Sequence, residues 1–293
     1  QARLSASPTP QLGFSTYLGG SKPCASCTGA DTFSQNIATG STTANQPHAN
    51  VSILNFHYSS PPDSVAQNYA HNRAIAFDES GFRGSADAAY RKEAWDFLVA
   101  GGAVYDNLDW SYTDTAENGT STAWDKGLGG GGPTIQAQLG ILRGFLSGFN
   151  LVPMGPGNNV ILGGLPSGVP ARALVETGKQ YAIYLNGGSQ ASLVVDLPAA
   201  AYRADWVNTK TGATDRTESF DHAGGGRTLV SPAYSEDIAL RIVWTGGGTP
   251  PAALPAPPAG ATFYRAITLN GGALTLDGTA WEGTGAAHVS CTG

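Results

Sequence analysis

Apolar and polar positions keep one rhythm up to about residue 150 and another beyond it. VSILNFHY (51–58) is a continuous apolar run with β-branched members, as expected of a strand covered on both faces. AIAF (74–77) is a second such run and AVYDNLDWSY (103–112) a third. Between the last two, Tyr90, Ala94, Phe97 and Leu98 fall at i, i+4, i+7 and i+8. That spacing predicts a helix from about Ala86 to Ala100, capped by Ser85 or Asp87 and ended by Gly101-Gly102. Strand, helix, strand at these lengths is a βαβ unit with parallel strands. PPDSVAQNYAHN, between the first two runs, has room for a helical turn or two. GLGGGGP (127–133) reads as a flexible connection that delivers Pro133 to a first helical position. Ile135, Leu139, Leu142 and Leu146 then share one face of a second amphipathic helix.

From about Leu151 the texture turns to short strands. YAIYLNGG, ASLVVDL, YRADWVNTKTG, RTLVSP and DIALRIVW are separated by Gly, Pro and Asn turns roughly every ten residues, which predicts an antiparallel sandwich. His222, in FDHAGGG, reads as a loop residue. Residues 247–260 are a Pro/Ala/Gly linker, and 261–293 begin a further β domain too short to bury a core alone. Residues 1–34 are loop-rich and unassigned, with FSTYL their one strand-like stretch; FSTYLGGS resembles a single bacterial β-propeller repeat.

Composition narrows the class. Of 293 residues 41% are hydrophobic, enough for sizeable cores, while 13% are charged, against ~25% in an average globular protein. Forty glycines fit a loop-rich, largely β chain. A formal charge of -6 provides no basic footprint, so nucleic acid is set aside as a partner. No apolar run reaches the length of a membrane-spanning helix, so no membrane partner is expected. QARLSASPTP has no signal-peptide h-region; the chain is expected to have lost one or to start partway into a longer protein. Low charge and few Lys, Cys and Met point to a secreted, bacterial protein.

Cys24 and Cys27 form a C-x-x-C flanked by loop residues, and Cys291 lies near the far end. No second close pair or His pair follows, so a local disulfide or free thiols lead over a metal or redox role. No metal and no cofactor is expected.

In parallel α/β folds the working side chains stand at the C-terminal ends of strands. Three such ends are available here: His57-Tyr58, Asp78-Glu79, and Asp106, Asn107, Asp109 and Trp110. A sugar-cleaving barrel needs a carboxylate at one end, neighbours that hydrogen-bond it and an aromatic platform, and these residue types supply all three.

QNIATG, PHANVSILNFHYSSPPDSVAQNY, NRAIAFDESGF and YRKEAWDFLVAGGAVYDNLDWSYT resemble the last third of a (β/α)8 retaining glycoside hydrolase of the cellulase and mannanase group. The resemblance implies that Glu79, ending strand seven, is the nucleophile. It puts His57 and Tyr58 on strand six against the nucleophile or the sugar, and Trp110 under the sugar face. Asp78, Asn107 and Asp109 complete the implied substrate-binding set. In that group the His and Tyr are separated by one residue. Here they are adjacent and are expected to point to opposite faces, leaving one of them in the site.

YRADWVNTKTG and SPAYSEDIALRI are similar to the β-sandwich appended to such barrels, of a kind assigned to collagen binding. The implied fold class is α/β plus all-β: residues 35–150 as the C-terminal part of a (β/α)8 barrel, then 151–246 as a β-sandwich accessory domain. About 115 residues stand where a whole barrel takes ~250, so the chain is expected to be a segment truncated at both ends.

The implied activity is retaining hydrolysis of a plant or microbial polysaccharide. The acid/base Glu of the group follows an Asn on strand four, and no Asn-Glu pair occurs here. The alternative is a non-catalytic carbohydrate- or matrix-binding or spacer module of a large extracellular protein. A partial barrel would also expose strand edges, which favours self-association.

Overall fold

The computed structural model describes residues 14–15, 44, 53–58, 63–127, 129–246, 274–276 and 279–281. Cys24, Cys27, Cys291 and the 247–260 linker lie outside the described residues, as does most of the 1–34 segment. The chain divides into two compact units, Gln1–Pro251 and Ala252–Gly293.

The first unit holds a parallel sheet in the order β1 (Phe14–Ser15), β2 (Ile53–His57), β3 (Ala74–Ser80), β4 (Val104–Asn107). Parallel neighbours require a crossover. α1 (Asp63–Asn68) and a 3-10 turn, Tyr69–His71, lie between β2 and β3; α2 (Asp87–Val99) lies between β3 and β4. Neither Ser85 nor Asp87 caps α2. Its N-cap is Ala86, with no side-chain cap bond, and Asp87 is the acid of the first turn, where the helix dipole favours it. The helix ends as expected at Gly101, whose φ is +105°, and a Cβ on Gly102 would lie 2.3 Å from the Phe97 ring.

β4 is shorter than the apolar pattern of 103–112 suggests. After Asn107 the Leu108 N–H still bonds to the Ser80 carbonyl at 2.6 Å, and then Asp109 draws the chain into a loop. α3 (Pro133–Leu146) begins with its proline in the first turn and buries Ile135, Gln138, Leu142 and Phe145. The glycines before it are a close-packed crossing, which corrects their reading as a flexible connection. A Cβ on Gly129 would fall 2.6 Å from Trp110 Nε1, and one on Gly130 2.5 Å from the Tyr90 ring.

Two antiparallel sheets follow. One runs β11 (Thr214–His222), β10 (Ala200–Val207), β13 (Ile238–Trp244), β8 (Gln180–Leu185), β7 (Ala171–Glu176), β5 (Gly155–Pro156). The other runs β12 (Gly225–Val230), β9 (Ser192–Leu197), β6 (Ile161–Gly163). They share one core, in which Tyr181, Ile183, Trp206 and Leu240 of the first meet Leu193, Val195 and Leu229 of the second.

The alternate residues of the larger sheet enter a different core. Ala182, Tyr184 and Ala239 pack with Trp95 of α2 and Leu142 and Phe145 of α3, and Trp95 stacks on Tyr184 with centroids 5.4 Å apart. Strands buried on both faces lose polar alternation, so YAIYL and IAL are unbroken apolar runs. β11 is the converse. It carries alternating charges, is largely exposed along its length and is held by pairing with β10, so His222 ends a strand where a loop was expected.

In the second unit β14 (Leu274–Leu276) pairs antiparallel with β15 (Thr279–Trp281). Among the described residues no helix is long and apolar enough to cross a membrane.

Candidate active site

β3 is an inner strand of the parallel sheet, between β2 and β4, and Asp78-Glu79 stand near its C-terminal end. Consecutive strand residues face opposite ways unless the strand is bulged. Here the register breaks on both sides. Phe56 pairs with Phe77 but His57 with Glu79, while Tyr105 pairs with Phe77 and Asn107 with Ser80. β3 therefore carries one residue more than either neighbour across 77–80, and His57 reaches both acids: Nδ1 is 3.0 Å from Asp78 Oδ1, and Nε2 is 4.0 Å from Glu79 Oε2.

The other Asp78 oxygen accepts from the Asn55 amide at 2.6 Å. Asp78 thus orients the imidazole: with Nδ1–H donated to it, Nε2 is the nitrogen turned to Glu79. Tyr58, contrary to the expectation of opposite faces, also joins the pair. Its hydroxyl donates to Glu79 Oε1, and its backbone N–H donates to the Glu79 carbonyl at 3.0 Å. The reason is local: Tyr58 lies one residue past β2 with φ +50°, so strand alternation no longer governs it. His57 and Tyr58 are packed edge to face, with ring centroids 4.3 Å apart.

The next residue, Ser80, turns inward and donates to Glu93 of α2. Glu93 is buried and also accepts from Arg83 and, at 3.0 Å, from Tyr105. Burial, then the nearby Glu93 charge, pushes the Tyr105 hydroxyl well above its ordinary range, so it stays a donor.

At the end of β4, Asn107 is buried, and its amide nitrogen has no hydrogen-bond partner among the described residues. Asp106 is held above its ordinary value, first by desolvation, with repulsion from Asp78 and Asp109 adding to it. Asp109 braces its loop. One oxygen accepts from Ser111 N at 2.9 Å and Gly132 N at 3.2 Å, the other from the Gln136 amide at 3.0 Å. Trp110 stands edge to face with Phe82, centroids 6.2 Å apart, and Phe82 lies 5.6 Å from Tyr58.

The strand-end residues His57, Tyr58, Asp78 and Glu79 are therefore one contact group, and Trp110 is linked to them through Phe82. Sequence reasoning missed Asn55 and Phe82. A polar residue inside an apolar run, two before His57 and so on its face, was the available signal for Asn55. Among the described residues no group of three or more His, Cys, Asp or Glu side chains is arranged to hold a metal ion.

No family model and no curated protein matches the chain. Among solved structures it is similar to a protein described as a glycoside hydrolase, at 13% identity over 68% of this chain and 58% of that one, TM-score 0.45. A glycoside hydrolase family 5 protein from Bacteroides vulgatus matches at 15% identity over 69% and 53%, TM-score 0.46. A family 30 subfamily 8 xylanase from Clostridium acetobutylicum matches at 14% over 69% and 51%, TM-score 0.45. The chain spans little more than half the length of each.

Proposed function

We propose that residues 35–150 are the C-terminal part of a (β/α)8 glycoside hydrolase, secreted and acting on a polysaccharide by a retaining mechanism with Glu79 as nucleophile. Residues 151–246 are its β-sandwich accessory domain. The observation that carries the reading is the surrounding of Glu79. One carboxylate oxygen is held by the Tyr58 hydroxyl, and the other faces an imidazole fixed from behind by Asp78. A carboxylate nucleophile needs no base to activate it; it needs to be held in place, and the Tyr58 hydroxyl and the oriented His57 ring flank its two oxygens.

In this reading Glu79 attacks the anomeric carbon as the glycosidic C–O bond breaks, and the leaving oxygen takes a proton from a second carboxyl group. Water then cleaves the glycosyl ester. In retaining enzymes the two carboxyls stand ~5.5 Å apart. Asp78 is engaged by Asn55 and His57, and the described residues assign no other group to the acid step.

Incubation with a panel of 2-fluoro glycoside inactivators, followed by peptide mass mapping, tests the proposal. An adduct on Glu79, absent in Glu79→Gln, supports it. No adduct with any sugar, together with glycan binding that Glu79→Gln leaves unchanged, would make the protein a binding module instead.

A further inference from the structure

Glu93 is a carboxylate in a place that packing alone does not explain. It stands in the middle of α2, its side chain 3% exposed. A buried carboxylate forfeits its hydration, and an apolar side chain of similar size would fill the space without that cost. Three donors offset the loss: Ser80 of β3, Arg83 of the loop that follows it, and Tyr105 of β4 at 3.0 Å. Two of the three, Ser80 and Arg83, come from the stretch of chain just past Glu79.

That stretch needs a hold of this kind. In a regular strand the ladder decides which face each side chain takes, and at a bulge the ladder is broken. β3 loses register with both neighbours where Glu79 lies. Backbone bonds still fix two carbonyls there. Tyr58 N–H donates to Glu79 O at 3.0 Å, and Leu108 N–H to Ser80 O at 2.6 Å. These define the course of the chain but not the direction in which its side chains project. The Ser80 hydroxyl supplies that direction. With Ser80 buried and turned in to Glu93, the side chain before it is turned the other way, toward His57 and Tyr58.

We infer that Glu93 is a positioning residue for Glu79: by holding Ser80 against α2 it sets the face on which Glu79 leaves the strand. Arg83 is the second anchor, on the far side of Gly81 and Phe82, and its guanidinium balances the buried charge. The kinetic consequence of this inference rests on the proposed role of Glu79 as nucleophile. The geometric consequence does not.

Ser80→Ala and Tyr105→Phe each remove one donor to Glu93, the first on the strand of Glu79 and the second on β4. Both are expected to lower the melting midpoint by about 3–10 °C. Only Ser80→Ala is expected to release Glu79. Its crystal structure should lack the Tyr58–Glu79 hydrogen bond, which Tyr105→Phe should keep. With a 2-fluoro glycoside, Ser80→Ala should label Glu79 about 10-fold more slowly at saturation, with the half-saturating concentration unchanged. A misplaced nucleophile slows the chemical step rather than binding. Tyr105→Phe should label at the parent's rate.

Glu79 still bonded to Tyr58 in Ser80→Ala overturns the positioning role, whether or not the protein labels. Equal slowing in Tyr105→Phe also overturns it, because Glu93 would then act through general stability alone. A parent that labels with no sugar overturns the nucleophile, and the two crystal structures still decide the positioning role.

Discussion

Arg91 of α2 grips Asp237, 146 residues further along the chain, with two hydrogen bonds: Nε to Oδ2 at 3.2 Å and Nη2 to Oδ1 at 2.7 Å. Side-chain exposure is 2% and 0%. Arg91 also reaches Gln138 of α3 at 3.1 Å, and Tyr184 of β8 donates to Asp237 at 3.1 Å. The helices of the parallel layer and the larger antiparallel sheet are thus joined by ions as well as by the Trp95–Tyr184 stack. Removing one partner strands the other charge. Arg91→Ala is expected to cost about 3–5 kcal/mol in urea unfolding. A loss below ~1 kcal/mol, the range of an exposed pair, would mean the contact is wet.

Asp205 ties the antiparallel core to pH. Burial alone raises its carboxyl, but hydrogen bonds from Thr217, Arg241 and Arg203 outweigh this and hold it below its ordinary value of 3.8. A depressed carboxyl contributes stability that is complete above its unfolded value and is lost as pH falls through the folded one. The parent should therefore lose stability below pH 3.8, and Asp205→Asn, less stable at neutral pH, should have a flatter acid limb. Asp96 runs the other way, raised chiefly by burial, so its stabilising contribution fades as pH climbs above 3.8. The free-energy difference between Asp96→Asn and the parent should then shift in the variant's favour with rising pH, in unfolding curves taken from pH 3 to 7.

Tyr58→Phe keeps the ring against His57 and Phe82 and removes the donor to Glu79. A hydrogen bond to a charged group contributes about 1.5–3 kcal/mol, so, if Glu79 is the nucleophile proposed above, kcat/KM should fall by roughly 10- to 150-fold with the fold intact. Circular dichroism and steady-state kinetics on an activated aryl glycoside read both halves. An unchanged rate would remove Tyr58 from the site.

The glycine loop offers a structural control. A Cβ on Gly131 would fall 2.2 Å from Asp109 Oδ1, in backbone with φ +149°. Gly131→Ala is expected to destabilise by about 1–3 kcal/mol, by overpacking plus backbone strain, and to loosen the Trp110 segment. Thermal unfolding with tryptophan fluorescence would register both effects.

β4 is the last strand of the described parallel sheet and leaves Val104 half exposed. An open, apolar strand edge is a template for pairing with another chain. Light scattering should detect concentration-dependent association, reduced in Val104→Lys. A monomer at all concentrations would contradict it.

The parallel layer was legible because its strands and helices differ in period, and the strand ends followed from that topology alone. His57, Tyr58, Asp78 and Glu79 were named from those ends. Their mutual geometry was not, because a bulge and a left-handed residue each break the alternation on which strand reasoning depends. β7 and β11 escaped for opposite reasons. ARALVE is short and buries several members, whereas TDRTESFDH has almost no apolar content and is a strand only because β10 pairs with it. The four glycines before α3 read as looseness because sequence does not show what passes over them. Trp110, Tyr90 and Asp109 do.

The extra residue in β3 has one more consequence. Asp78 and Glu79 share His57 because the strand is one residue longer than its neighbours over that stretch, so the pairing is written in chain length as much as in side-chain chemistry. Deleting Asp78 would remove more than a carboxylate. It would reset the phase of everything downstream, returning Glu79 and Ser80 to strict alternation and misaligning the clasp on Glu93. A search for proteins with the same site should therefore compare residue counts between the paired strands before it compares letters.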